Sequence, residues 1–525
     1  MARLAGIIYK KSDFNNNPVF YRTRVLEMLE IFKQTGSSYK LINEIKNNKF
    51  NVTVGMQSKY NIFKYVKNVQ NEIPAGISLP YIDGKIYNLG DLYNKYSSKF
   101  TGEMTNDLET LQRLLDFFGI EIVKEFKGPF SILFIDRHGD VFLARDFLGR
   151  KPLYYSLDQK SENLHFTSEV KTLARFCSEI NEFPPGSFIK NLSKPVIIKN
   201  IKSNVFGPID EAHLKEQKVF HNQDSIVKEL EVLFFKSIEK RLFKKKSNHE
   251  IGIWLSGGLD SSIIASVVRE FTDNIFTFSV GFEKSKDIEA ARIVSSQLET
   301  KHMEFLLSID YLFKMIPKTI YTLESFDAPL VRSTLGNLIA SELSSNCDIV
   351  FSGEGGDEVF AGYRYFLDMN SDSSIQDGLI KALRNLHNTA LQRVDRSANT
   401  YNVNVKLPFL DEELLEFSLC IPPKYKINHK KKSTKHILRL MASRYLPDSI
   451  VWRPKDKFWE GSGILNCLKE KIDKEIPDNE FASRKTLKDG FTIRNKEEYY
   501  YYKIFQDFFP GINHNNFLSF TENFN

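Results

Sequence analysis

Only four of the 525 residues are cysteine, Cys177, Cys347, Cys420 and Cys467, and no two of them form a CxxC pair. This scatter argues against a zinc ribbon or a disulfide framework and predicts a reducing compartment. Long apolar runs are also missing. None approaches the roughly 20 residues that span a bilayer, and the N-terminal stretch has Arg3 but no apolar core before a small-residue cleavage site. A cytoplasmic protein without a membrane partner is the expectation. Excess charge of one sign is absent too, with 72 basic against 66 acidic residues and a formal net charge of +6. The basic clusters are short, Lys244 to Lys246 in "FKKKSN" and Lys430 to Lys435 in "HKKKSTKH". The first reads as a solvated loop; the second fits a solvated loop or a phosphate-facing role, and no nucleic-acid partner is expected.

What is present divides the chain in two, since its length exceeds what one hydrophobic core serves. Residues 1–210 show short strands broken by turns, beginning with a buried strand over Leu4, Ala5, Gly6, Ile7 and Ile8. In "GPFSILFIDRHGDVFLARD" two apolar runs flank a glycine-containing turn, which predicts a hairpin. In "DLETLQRLLDFFG" Leu108, Leu111, Leu114, Leu115 and Phe118 share one helical face and Gly119 ends it. The Asn/Lys-rich stretch 43–51 reads as a loop. This pattern is an α+β layered domain.

Over residues 211–525 the pattern becomes α/β. A helix over "DSIVKELEVLFFKSIEKRL", which Asp224 or Ser225 can cap, precedes the apolar strand "IGIWL". The apolar strands "IFTFSVGF" and "CDIVFS" follow with helices between, as in a parallel sheet covered on both faces. The loop "SGGLDSS", Ser256 to Ser262, joins the first strand to a helix. Its glycines let backbone N–H groups approach an anion, and the helix start adds partial positive charge. It lacks the lysine of GxxxxGKS/T, which separates it from the P-loop. A second glycine-rich loop, "SGEGGDE" from Ser352 to Glu358, follows another strand. Ligands gather beyond the carboxyl ends of such strands. There Asp260 and Asp357 can together hold a Mg²⁺ that bridges phosphate oxygens.

These motifs carry a resemblance. "SGGLDSS" is similar to the pyrophosphate loop of the N-type ATP pyrophosphatases. With "SGEGGDEVFAGYRYF", "LQRVDRSANTYNVNVKLPFLD", "WRPKDKFWEGSG" and "EEYYYYKIFQDFFPG", the chain resembles the glutamine-dependent asparagine synthetases. In the first domain "RDFLGRKPLYY", "FTSEVKTLARF" and "PPGSF" resemble that family's N-terminal nucleophile (Ntn) hydrolase, its glutaminase. The resemblance implies an ATP- and Mg²⁺-dependent ligase that adenylates a carboxylate and passes it to an amine. It implies an ATP site at Leu255, Ser256, Gly257, Gly258, Asp260, Ser261, Ser262, Val280 and Gly353. It makes Lys455 the cation near the α-phosphate, with Lys435 as a second candidate, and places Glu354 and Arg332 at the substrate. The partners implied are an amino acid or peptidyl carboxylate and ammonia or another amine, with a homodimer as an option.

The sequence also departs from that family. Its glutaminase uses a cysteine that is the first residue of the processed chain, whose own α-amino group acts as base. Residues 2 to 10 contain no Cys, Ser or Thr, and "LAGII" aligns with the family's "CGI" only by putting Ala5 at the nucleophile position. The family's glutamine-holding "NGEIYN" stands here as "DGKIYN", with Asp83 and Lys85 replacing Asn and Glu. An inactive first domain is the expectation. The family's Glu-x-Arg before "PFLD" is Asn404-Val405-Lys406, which removes a bidentate carboxylate fork. Alternatives to an intermolecular synthetase are therefore an intramolecular cyclase of the β-lactam synthetase or lasso-peptide cyclase type and a non-catalytic scaffold.

Overall fold

The computed structural model describes residues 2–10, 18–32, 39–46, 50–58, 79–100, 106–158, 162–198, 222–242, 249–454 and 464–521. The chain forms two compact units, one of residues 1–204 with 511–518, the other of 205–510 with 519–525. Among the described residues no helix is long and apolar enough to cross a membrane, and Cys177, Cys347 and Cys420 are not in disulfides.

The first unit contains two antiparallel sheets. Strands β1 (Ala2–Lys10), β2 (Tyr39–Lys46), β3 (Phe50–Ser58), β7 (Tyr154–Asp158), β8 (Asn163–Thr167) and β9 (Asn181–Glu182) form one, in the order β2-β3-β1-β8-β7-β9. The other runs β11-β10-β6-β5-β4, from β4 (Leu79–Gly84), β5 (Phe130–Ile135), β6 (Val141–Arg145), β10 (Ser187–Lys190) and β11 (Val196–Ile197). Strand alternation explains the layering. Leu4 and Ile8 of β1 pack into one core with Leu133 and Leu143 of the second sheet. Ile7 and Tyr9, on the opposite face, pack against Tyr21 and Val25 of helix α1 (Pro18–Ile31). Leu111, Leu114 and Leu115 of α2 (Asp107–Phe118) cover Ile132 and Phe134 on the outer face of the second sheet. The predicted hairpin is β5 and β6, and Gly119 ends α2 at φ 62°.

Two sequence expectations are corrected here. Of the stretch 43–51 read as a loop, residues 43–46 lie in β2 and 50–51 in β3, because the β2–β3 and β3–β1 ladders outweigh the polar composition. Helix α3 (Gln223–Glu239) is capped by Asn222 rather than by Asp224 or Ser225. Asn222 accepts from the Ser225 N–H, and Ser225 returns its hydroxyl in a capping box.

In the second unit, β12 (Ile251–Trp254), β13 (Ile275–Gly281), β14 (Lys301–Leu306), β15 (Ile349–Phe351) and β16 (Val405–Lys406) make an all-parallel sheet in the order β14-β13-β12-β15-β16. Chain direction across the sheet reverses between β12 and β15, which defines a topological switch point. Helices α4 (Leu259–Arg269), α5 (Lys286–Gln297), α6 (Ile309–Leu323), α7 (Ala328–Leu343), α8 (Gly356–Phe360), α9 (Ala390–Thr400), α10 (His436–Ala442) and α11 (Lys496–Phe508) surround it.

Candidate active site

Both glycine-rich loops leave the carboxyl ends of the two strands that flank the switch point. The first turns on Gly257 at φ 69° and enters α4 at Gly258. Its hydroxyls are tied inward: Ser261 Oγ lies 3.1 Å from Ser256 Oγ and donates to the Gly258 carbonyl at 3.1 Å. Leu255 closes the strand end, its N–H donating to the Phe278 carbonyl at 2.9 Å and its own carbonyl accepting from Ser279 Oγ. Val280 follows on β13, in register with Phe305. Ser262 is buried in the first turn of α4.

The second loop lies directly on the first. A Cβ on Gly353 would sit 3.0 Å from Asp260 Cβ, and one on Gly356 would sit 2.7 Å from Asp260 Oδ1. Only glycine permits this approach. The two aspartates are consequently drawn to one point, where the buried Lys435 ammonium donates to Asp260 Oδ2 and lies 2.7 Å from Asp357 Oδ1. Burial works against the Lys435 charge, but the two carboxylates outweigh it and hold the ammonium above its ordinary value. Lys435 takes a left-handed conformation, φ 54°, as it enters α10. Next to Asp357, burial and that neighbouring carboxylate push Glu358 up to about 7, although Tyr363 donates a hydrogen bond to it.

Glu354 and Arg332 have partners of their own. Arg393 of α9 lies 2.7 Å from Glu354 Oε1 and donates to Asn337 of α7 at 2.7 Å. Arg332, also on α7, lies 3.6 Å from Glu497 at the start of α11, and Tyr501 donates to Glu497 at 2.9 Å. Burial raises the Glu497 carboxyl despite the pull of Arg332. Lys455 and the Lys244 to Lys246 cluster lie outside the described residues. The fold thus brings Asp260, Asp357 and Lys435 together and gives Glu354 and Arg332 separate counter-ions. Sequence reasoning missed Arg393, Glu497, Gly362 and Arg453. Each had a signal in its place within a quoted motif: Arg393 in "LQRVDRSANT", Glu497 in "EEYYYYKIF", Gly362 in "SGEGGDEVFAGYRYF" and Arg453 in "WRPK".

A glycine-rich strand-to-helix turn, two convergent carboxylates and a buried ammonium at the switch point of a parallel sheet fit the N-type ATP pyrophosphatase class. The sequence model of the asparagine synthase family matches residues 229–374 and 368–518, and that of a glutamine amidotransferase domain matches 77–211. The chain is 28% identical over 530 residues to asparagine synthetase B (glutamine-hydrolyzing) of Escherichia coli, covering 96% of this chain and 91% of that protein. It is 29% identical over 462 residues to a probable asparagine synthetase (glutamine-hydrolyzing) of Dictyostelium discoideum, covering 82% and 81%. Against the glutamine-hydrolyzing asparagine synthetase of Rattus norvegicus the identity is 30% over 469 residues, covering 82% of each. The chain belongs to the asparagine synthase family and is an ATP-dependent carbon–nitrogen ligase.

Proposed function

We propose that this ligase adenylates an aspartate-type carboxylate and joins it to ammonia or another amine without hydrolysing glutamine. The observation that carries the second half is the state of the first unit. Ala5 lies inside a ladder, paired with Gly55 on one side and Thr167 on the other, while Ala2, Arg3 and Leu4 continue the same strand before it. A mid-strand alanine offers neither a nucleophile nor a free α-amino group as base. Asp83, in the motif that holds glutamine in relatives, is buried and paired at 3.0 Å with the buried Lys151.

In the second unit, backbone N–H groups of the Ser256 to Ser262 loop and the Lys435 ammonium bind and neutralise the ATP phosphates. Asp260 and Asp357 fit a Mg²⁺ ion, which takes one or two carboxylates and completes its shell with phosphate and water. That ion would polarise the phosphates. The substrate carboxylate oxygen attacks the α-phosphorus, the bond to the β-phosphate bridge breaks, and pyrophosphate leaves. The amine then attacks the acyl carbon, loses a proton, and displaces AMP. Glu354 either receives that proton or holds the substrate amino group. Arg332 holds the substrate carboxylate, and Lys455 supplies a cation at the α-phosphate.

Pyrophosphate release by the full chain with ATP, Mg²⁺ and aspartate tests this reading, with ammonium or glutamine as nitrogen source. Ammonium should support turnover and glutamine should not. Absence of aspartate-dependent pyrophosphate would overturn the acceptor, and equal turnover with glutamine would overturn the reading of the first unit.

A further inference from the structure

Arg453 is a guanidinium that the reaction above does not use. Its Nη1 donates to the Gly257 carbonyl at 3.1 Å, and its Nη2 donates to Asp287 in the first turn of α5. Its own backbone is held: Arg439 Nη1 donates to the Arg453 carbonyl at 3.2 Å and to the Val451 carbonyl, while Arg439 Nε donates to the Thr434 carbonyl at 2.9 Å. Gly257 is confined on the α5 side as well. A Cβ there would sit 2.4 Å from the Asp287 carbonyl oxygen and 2.7 Å from the Ala291 nitrogen.

The consequence lies in the next peptide bond. In a planar trans peptide the carbonyl and the following N–H point to opposite sides. Holding the Gly257 oxygen on Arg453 therefore turns the Gly258 N–H the other way, where it donates to Ser256 Oγ at 3.3 Å. A Gly-Gly peptide is otherwise among the easiest to rotate.

We propose that Arg453 is a positioning residue: it locks the Gly257–Gly258 peptide so that the Gly258 N–H is presented to the pyrophosphate portion of the nucleotide. This rests on the reading that the Ser256 to Ser262 loop binds phosphate. Lysine is no substitute, because one ammonium does not reproduce a fork that reaches a carbonyl and a carboxylate at once.

Isothermal titration of the full chain with Mg²⁺-pyrophosphate and, separately, with AMP tests it. Arg453→Ala should weaken pyrophosphate binding by about tenfold to a hundredfold and leave AMP binding unchanged; Arg453→Lys should fall between. Unchanged pyrophosphate affinity, or equal losses for both ligands, would overturn the proposal. Should Arg453→Ala lose the fold, Arg453→Lys carries the same comparison. Gly258→Pro separates the two levels, since it removes the N–H at a φ of −80° that proline adopts. If Gly258→Pro weakens pyrophosphate binding and Arg453→Ala does not, the lock is wrong and the phosphate loop stands. If neither variant weakens it, both fail.

Discussion

Lys435 lies 2.7 Å from Asp357 and also donates to Asp260, so one buried ammonium joins the glycine-rich loops of two different strands. Lys435→Met would leave two carboxylates facing each other without this counter-ion and, on the proposed function, remove a cation from the phosphates. The expected outcome is a loss of roughly a hundredfold to a thousandfold in kcat for pyrophosphate release. Steady-state assays with ATP and aspartate check it.

Room for that ammonium depends on Gly362. A Cβ there would lie 2.0 Å from Asp357 Oδ1 and 2.1 Å from Lys435 Cε. Gly362→Ala should therefore abolish pyrophosphate release while costing about 1–3 kcal/mol of stability, the usual range for overpacking. Urea unfolding beside the activity assay separates the two effects.

The buried pair of Asp83 and Lys151 makes a prediction about the first unit. Asp83→Ala removes the carboxylate from a buried ion pair and should cost about 3–5 kcal/mol. Replacing both partners, Asp83→Ala with Lys151→Met, should recover most of that loss, because burying two charges is itself expensive. Denaturant midpoints of the two variants decide it. Neither change should alter ammonium-dependent turnover of the folded enzyme.

Lys426 supplies a pH dependence. Its side chain is fully buried, its Nζ has no hydrogen-bond partner among the described residues, and burial pulls it down from an ordinary 10.5 to about 7. Below pH about 7 both folded and unfolded chains carry the proton, and the cost of burying the charge is present in full. Between about 7 and 10.5 only the unfolded chain holds it, so stability rises with pH. The slope from this group is ~1.4 kcal/mol per pH unit. Lys426→Met should be the more stable protein at pH 7, and the difference from wild type should shrink as pH rises toward 10. Thermal melts of both proteins across that range measure it.

Much of the site was legible locally. A strand, a glycine-rich turn and a helix follow one another within "IGIWLSGGLDSSIIASVV", and the second loop repeats the strand-and-turn pattern, so short-range preferences suffice to place both. Helix α2 and its Gly119 stop were legible for the same reason. The cap of α3 was not, since Asn222, Asp224 and Ser225 are all good capping residues and the choice depends on where the helix packs. Nor was β2, whose polar composition argues for a loop until pairing with β3, itself bound to β1, is known.

The sequence by itself determined most of the elements, the two glycine-rich turns and the absence of Cys, Ser and Thr from residues 2 to 10, because backbone preference and residue type are local properties. Only the tertiary structure decided which charges meet. Lys435 is separated from Asp260 by 175 residues, and Arg453 reaches Gly257 across 196. Arg393 and Glu497 lie in quoted motifs, but their partners emerged only when helices α9 and α11 brought them against Glu354 and Arg332. A charge removed from water finds a partner or a hydrogen bond, or, as at Lys426, gives up its proton more readily. Which partner it finds is set by the packing of strands and helices far apart in the chain.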